Sequence, residues 1–230
     1  MTDTASFDII LGEEFAHNPQ PRSACVLLLD VSASMSGQPI DELNAGLRLF
    51  EQEVKKDELA SLRTEVAIVT FDSSVDVVQD FVTVDEFTAP TLHTGGSTSL
   101  GAGLREALRM LRARKDTYRQ HGINYYRPSL FVITDGAPTD AGWLTAATAL
   151  HDEEAHKGVS TYVIGVQGAD HAVLQQVSPP GRPPLHLKGL QFREFFRWLS
   201  VSQTRVSQST PGDQVALPPV DGWAILPTSS

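Results

Sequence analysis

Cys25-Val26-Leu27-Leu28-Leu29-Asp30 is an unbroken apolar run that stops on a carboxylate. A strand with one wet face alternates apolar and polar residues. A run without alternation marks a strand buried on both faces, as in a parallel sheet covered by helices. The pattern returns at Ser129–Asp135, where Leu130-Phe131-Val132-Ile133-Thr134 again runs into an aspartate, and at Val159–Val166. Helical periodicity fills the intervals. Ile40, Leu43, Leu47, Phe50 and Val54 share one face, with Asp41 and Glu42 in the first turn, where the helix dipole favours acids. Leu100, Leu104, Ala107, Leu108 and Leu111 mark a second helix, opened by Gly95-Gly96-Ser97-Thr98-Ser99. Asp140 reads as the N-cap of a third, running to Lys157 and stopped by Gly158.

Thr64–Phe71 is rich in β-branched residues, and Asp72-Ser73-Ser74 turns it into Val75–Val82, a hairpin that makes one strand antiparallel. Asp170–Val177 reads as a short helix and Leu185–Leu187 as a short strand. Phe192, Phe195, Phe196, Trp198 and Leu199 mark a last helix reaching about Val206. Strands alternating with helices predict a doubly wound α/β fold: a mostly parallel sheet, one antiparallel edge strand, helices on both faces. Residues 1–23 read as a leader, 24–206 as the domain and 207–230 as a Pro/Gly-rich tail, whose Trp223 segment alternatively straps back onto the domain.

The 230 residues, 41% apolar and 20% charged, suit one ordinary globular domain. A net charge of −10 argues against a general nucleic-acid binder and against adhesion to anionic membranes, while permitting divalent cations and basic partner surfaces. The single cysteine, Cys25, excludes an intramolecular disulfide and a Cys-rich zinc site. No basic segment followed by an apolar one opens the chain, and no apolar run approaches a membrane span, so a cytoplasmic protein is expected.

Asp30 and Asp135 both fall at carboxyl ends of parallel strands, where a topological switch point leaves a crevice for ligands. Two carboxylates converging there repel each other unless a cation neutralises them or one takes a proton. Taken singly, each also reads as a cap of the turn that follows it. Ser32 and Ser34 add hydroxyls after Asp30, and Thr98 offers another. Oxygen donors without nitrogen or sulfur suit a small hard cation such as Mg²⁺.

Val26-Leu27-Leu28-Leu29-Asp30-Val31-Ser32-Ala33-Ser34-Met35 resembles the first motif of the metal-ion-dependent adhesion site in the von Willebrand factor A (vWA) family. Gly95-Gly96-Ser97-Thr98-Ser99-Leu100-Gly101 resembles its threonine loop, and Val132-Ile133-Thr134-Asp135-Gly136 its aspartate-bearing third motif. The three stand in the family's order across roughly Ala24 to Val177. The resemblance implies a vWA/Rossmann-like domain that binds Mg²⁺, or Mn²⁺ or Ca²⁺, through Asp30, Ser32, Ser34, Thr98 and Asp135. It also implies a protein partner that supplies an Asp or Glu to the metal. The family more often reads Gly-Gly-Thr, so the extra Ser97 leaves Ser97 and Thr98 as alternatives, with Thr98 favoured. His93, leading into this loop, and Ser97 are candidate partner contacts at the rim. The ending, Phe192–Ser200 followed by Leu217-Pro218-Pro219 and Trp223, is similar to TerY-type tellurium-resistance vWA proteins. That similarity implies a bacterial stress-response assembly with a protein kinase and a PP2C-type phosphatase.

Catalysis is not expected. The chain has no Gly-x-Ser-x-Gly elbow, phosphate loop or dinucleotide fingerprint. Mg²⁺-dependent phosphoryl transfer with Asp30 as nucleophile is the enzyme alternative, but Ser32 stands where such enzymes place a second, proton-transferring Asp. A metal-independent scaffold acting through the last helix and tail is the other alternative. His151 and His156, five apart, miss the spacing that stacks two zinc ligands on a helix. The arginine-rich face of the helix after Thr98 (Arg105, Arg109, Arg112, Arg114, Lys115, Arg119) reads first as a solvated surface and second as a dock for an acidic partner.

Overall fold

β1 (Ser23–Asp30) lies inside a seven-stranded sheet in a computed structural model that describes residues 15–135 and 137–225. The others are β2 (Thr64–Phe71), β3 (Val75–Thr83), β4 (Ser129–Thr134), β5 (Ser160–Gly165), β6 (Leu185–Leu187) and β7 (Ala224–Ile225). Their order is β3-β2-β1-β4-β5-β6-β7. β1 pairs in parallel with β2 on one side and β4 on the other, Leu27 lying opposite Ile68 and Phe131. Every residue of β1 and β2 is buried, which is why neither alternates.

The two-residue period of β1 divides the core. Cys25, Leu27 and Leu29 face α1 (Gln38–Val54) and α6 (Phe192–Ser207), meeting Leu43, Leu47, Phe50, Phe195 and Phe196. Val26 and Leu28 face α3 (Leu100–Gln120) and α4 (Trp143–Ala155), meeting Leu104, Ala107, Leu111 and Leu150. Each Leu, Val or Phe among them contributes about 1.5–3 kcal/mol by leaving water. α1 and α6 touch at Gly46, where a Cβ would stand 2.3 Å from Phe196 Cδ2. Two short helices complete the set: α2 (Glu58–Arg63), capped by Asp57, and α5 (His171–Val177), capped by Asp170.

Three features differ from the sequence reading. Asp140 does not cap α4, which starts at Trp143 and ends at Ala155; its carboxylate instead takes the Gly101 and Ala102 amides at the start of α3. The loop after β4 therefore folds across a neighbouring helix end before α4 begins. The far edge of the sheet is antiparallel too, because the chain returns after α6 and Ala224–Ile225 pair with β6. Trp223, 2% exposed, anchors this return against Phe195 and Trp198, and Trp198 Nε1 donates to Pro218 O at 2.8 Å. Finally, two of the basic residues of α3, Arg114 and Lys115, are buried in ion pairs, while Arg105, Arg109, Arg112 and Arg119 stay solvated as the first reading expects. Arg114 lies buried on Glu65, while Lys115 and Arg112 share Glu153.

Glu65 is fully buried, takes Arg22 Nε at 2.9 Å and Arg114 Nε at 2.7 Å, and accepts the Tyr118 hydroxyl. Phe15 closes this network from outside, 5.4 Å from the Arg22 guanidinium. Most of the leader and the end of the tail, residues 1–14 and 226–230, lie outside the described residues, as does Gly136 of the third motif. No helix among the described residues is long and apolar enough to cross a membrane.

Candidate functional site

The crevice follows from the connections. The chain leaves β1 for α1 on one face of the sheet and leaves β4 for α4 on the other, so the carboxyl ends of β1 and β4 are adjacent with diverging loops. Asp30 is the last residue of β1, and Asp135 follows the last residue of β4.

Asp30 is fully buried. One carboxylate oxygen accepts the Ser32 amide at 2.9 Å and the other the Thr134 hydroxyl at 2.6 Å. Burial pushes its pKa up, hydrogen bonds from Ser32 and Thr134 pull it down, and the charge of Asp135 pushes it up again. No cationic side chain is among these influences. A 3₁₀ turn, Ala33–Met35, then carries the chain past the crevice. The Ser32 and Ser34 hydroxyls stand 3.0 Å apart, and Ser34 donates to Asp135 Oδ1 at 2.9 Å. Asp30, Ser32, Ser34 and Asp135 thus form one connected group.

Thr98 arrives on a loop stitched to the same turn. Gly95 N donates to Val31 O at 2.8 Å, and Ala33 N donates to Gly96 O at 3.1 Å. Thr98 is buried, and among the described residues no hydrogen bond links its hydroxyl to the aspartate group. Ser97 is exposed and turned to the β2–β3 turn: its amide donates to Ser73 Oγ at 2.9 Å, and its own hydroxyl lies 3.2 Å from that oxygen. His93 is exposed on the approach to the loop.

Sequence reasoning missed the residues that hold this arrangement. Thr134 steadies Asp30, and Asn44 grips Leu92 through both its amide and its carbonyl, at 2.8 and 3.0 Å. Asn44 carried a signal: it is a polar residue on the buried face of an otherwise apolar helix stripe.

The donor set fits a small hard cation. It offers two carboxylates and hydroxyls, and among the described residues the buried carboxylate has no cationic partner and no nitrogen or sulfur ligand joins the group. Among the described residues no group of three or more His, Cys, Asp or Glu is suited to a metal, so hydroxyl oxygens have to do much of the holding. A phosphoryl-transfer arrangement is less well matched, because both Asp30 oxygens already accept hydrogen bonds and Ser32 offers no carboxylate. A separate cavity of about 1040 Å³ opens between α4, α5 and the loop after α5, lined by His151, His171 and Arg182 among others; no residue of the aspartate group lines it.

No curated protein matches the chain. Solved structures share its fold at low identity. The pilus adhesin SpaC from Lactobacillus rhamnosus GG aligns with a TM-score of 0.65 at 15% identity, over 80% of this chain and 30% of that one. Proximal thread matrix protein 1 from the mussel byssus gives 0.56 at 16%, over 80% and 48%. The chain therefore spans less than half the length of these two proteins. The vWF domain of the type V pilus tip protein Mfa5 from Porphyromonas gingivalis gives 0.60 at 11%, over 84% and 99%. The von Willebrand factor type A domain model matches residues 25–188, which contain every strand from β2 to β6 and all three loops of the crevice, and the chain belongs to that family.

Proposed function

We propose that this domain is a metal-dependent protein-binding module and not an enzyme. Asp30, Ser32, Ser34, Thr98 and Asp135 would hold Mg²⁺, with Mn²⁺ or Ca²⁺ as substitutes. When bound, the ion supplies an electrophilic position for a carboxylate from a partner protein. The observation that carries the reading is Asp30, a fully buried carboxylate facing hydroxyls and a second carboxylate, with no cationic side chain among the groups that shift its pKa. Thr98 is preferred to Ser97 as the loop ligand because the Ser97 hydroxyl is engaged by Ser73.

The protein's own residues prepare the site. Thr134 and the Ser32 amide orient the Asp30 carboxylate, and Ser34 orients Asp135. His93 and Ser97, both exposed beside the crevice, are placed to hydrogen-bond the arriving partner. SpaC is a pilus adhesin and Mfa5 a pilus tip protein, which favours a binding role over catalysis for a domain of this fold. If the resemblance of the C-terminal segment to TerY-type sequences extends to function, the partner would belong to a cytoplasmic stress-response assembly that includes a protein kinase and a PP2C-type phosphatase.

Calorimetric titration of Mg²⁺ and Mn²⁺ into chelator-stripped protein tests this. One-to-one binding that disappears in a folded Asp30→Ala variant is the expected result. Binding of equal affinity in that variant would place the ion elsewhere and overturn the assignment.

A further inference from the structure

Thr98 and Thr139 stand 41 residues apart in the chain, yet their loops are clasped together. Thr98 N donates to Thr139 Oγ1 at 3.2 Å, Thr139 N donates back to Thr98 O at 2.8 Å, and the Thr139 hydroxyl donates to the same carbonyl at 3.1 Å. The next residue, Asp140, takes the Gly101 and Ala102 amides on its two carboxylate oxygens, each at 3.1 Å. Those amides belong to the first turn of α3 and have no partner within the helix. Contact is close enough to require glycine, since a Cβ on Gly101 would stand 2.6 Å from Asp140 Oδ2 and 2.5 Å from Trp143 Cα.

We propose that Thr139 and Asp140 are positioning residues that fix the spacing between the Thr98 and Asp135 loops and thereby make the site selective for Mg²⁺ over Ca²⁺. The proposal rests on the metal-site reading above. Mg²⁺ demands near-octahedral oxygens at about 2.0–2.1 Å, whereas Ca²⁺ accepts a looser shell at about 2.3–2.6 Å, so the rigidity of the frame decides between them. Asp135 is already tied to the Asp30 turn through Ser34. Among the described residues no side-chain hydrogen bond ties Thr98 to that turn, so its distance from Asp135 is set through the backbone, and the clasp links the two loops directly. Releasing it lets the crevice widen, which a larger ion tolerates and a smaller one does not.

Thr139→Ala and Asp140→Asn test this, with Thr139→Ser as the conservative control. Calorimetry on chelator-stripped protein reads Mg²⁺ and Ca²⁺ affinity, and hydrogen exchange at the Thr98, Gly101 and Ala102 amides in metal-free protein reads the clasp itself. Loss of an outer-shell partner weakens metal binding about 10–100-fold, and that loss is expected for Mg²⁺. Ca²⁺ should change by less than about threefold because its shell adapts. Thr139→Ser should stay near the parent protein. Exchange should quicken at Thr98 in Thr139→Ala, and at Gly101 and Ala102 in Asp140→Asn. Equal weakening of both ions, or an unchanged Mg²⁺/Ca²⁺ ratio, overturns the selectivity role while leaving the metal site standing. A parent protein that binds neither ion overturns the metal site, and the proposal with it. If Asp140→Asn does not fold, Thr139→Ala, which removes one hydroxyl from an exposed residue, decides the matter.

Discussion

Glu65→Gln is expected to destabilise the domain severely while leaving metal binding intact. The carboxylate is fully buried, pairs with both Arg22 and Arg114, and also accepts the Tyr118 hydroxyl. Glutamine keeps one acceptor oxygen, loses the charge, and points an NH₂ group at donors. Removing one partner of a buried ionic cluster costs about 3–5 kcal/mol, because the groups it paired with stay buried and lose a charged partner. Against a total stability of about 5–15 kcal/mol for a domain, that is a large share. Distance protects the proposed metal site. Glu65 sits opposite Ala24 and Phe71 opposite Asp30, six residues further along the strands, which is about 20 Å at about 3.3 Å per residue. Urea unfolding followed by circular dichroism measures the loss, and calorimetry on the folded variant measures Mg²⁺ affinity, expected to be unchanged. Tyr118→Phe provides a scale: it removes one hydrogen bond to a charged group and should cost about 1.5–3 kcal/mol. A Glu65→Gln loss below about 1 kcal/mol, the range of a solvated surface pair, would refute the reasoning by showing that water reaches the cluster.

Three further outcomes are expected. The Cys25 thiol, whose pKa burial pushes up to about 12, should resist alkylation in the native protein at pH 8 and react only in urea, which a thiol-labelling time course reads directly. Its folded pKa lies above the unfolded value, so the folded state retains a proton that the unfolded state releases. Its contribution is intact below about pH 9 and falls by up to about 4 kcal/mol as the pH rises to about 12, a trend that unfolding curves across that range would reveal. Trp223→Ala should cost about 3–5 kcal/mol in the same urea assay, since the indole is buried against Phe195 and Trp198. An unaffected midpoint would mean that the return strand is not part of the packed domain.

What the sequence made legible was whatever rests on local pattern. Runs such as Val26–Leu29 and Leu130–Ile133 announce two-sided burial because nothing polar interrupts them, and a parallel sheet is what buries a strand on both faces. The aspartates after those runs then come to adjacent strand ends by topology, Asp135 one residue beyond the end of β4. Features that depend on which distant segments meet were not legible. Asp140 sits before a helix and has the composition of its cap, yet the amides it serves belong to another helix, brought near only because α3 and α4 pack on the same face of the sheet. Arg114 carries the same lesson with charge. On the helix surface pattern it belongs to a basic solvated stripe, but Glu65, which it binds, is a strand residue whose burial appears only when β2 and α3 are assembled. Ala224–Ile225 is too short to register as a strand; pairing with β6 and the anchoring of Trp223 make it one. The hydroxyl ligands proposed for the metal fall between these cases. Ser32 and Ser34 follow from spacing along one turn, whereas the position of Thr98 depends on Thr139 and Asp140, which lie beyond an entire helix and strand in the chain. The clasp variants therefore probe the part of the site that a local motif does not contain.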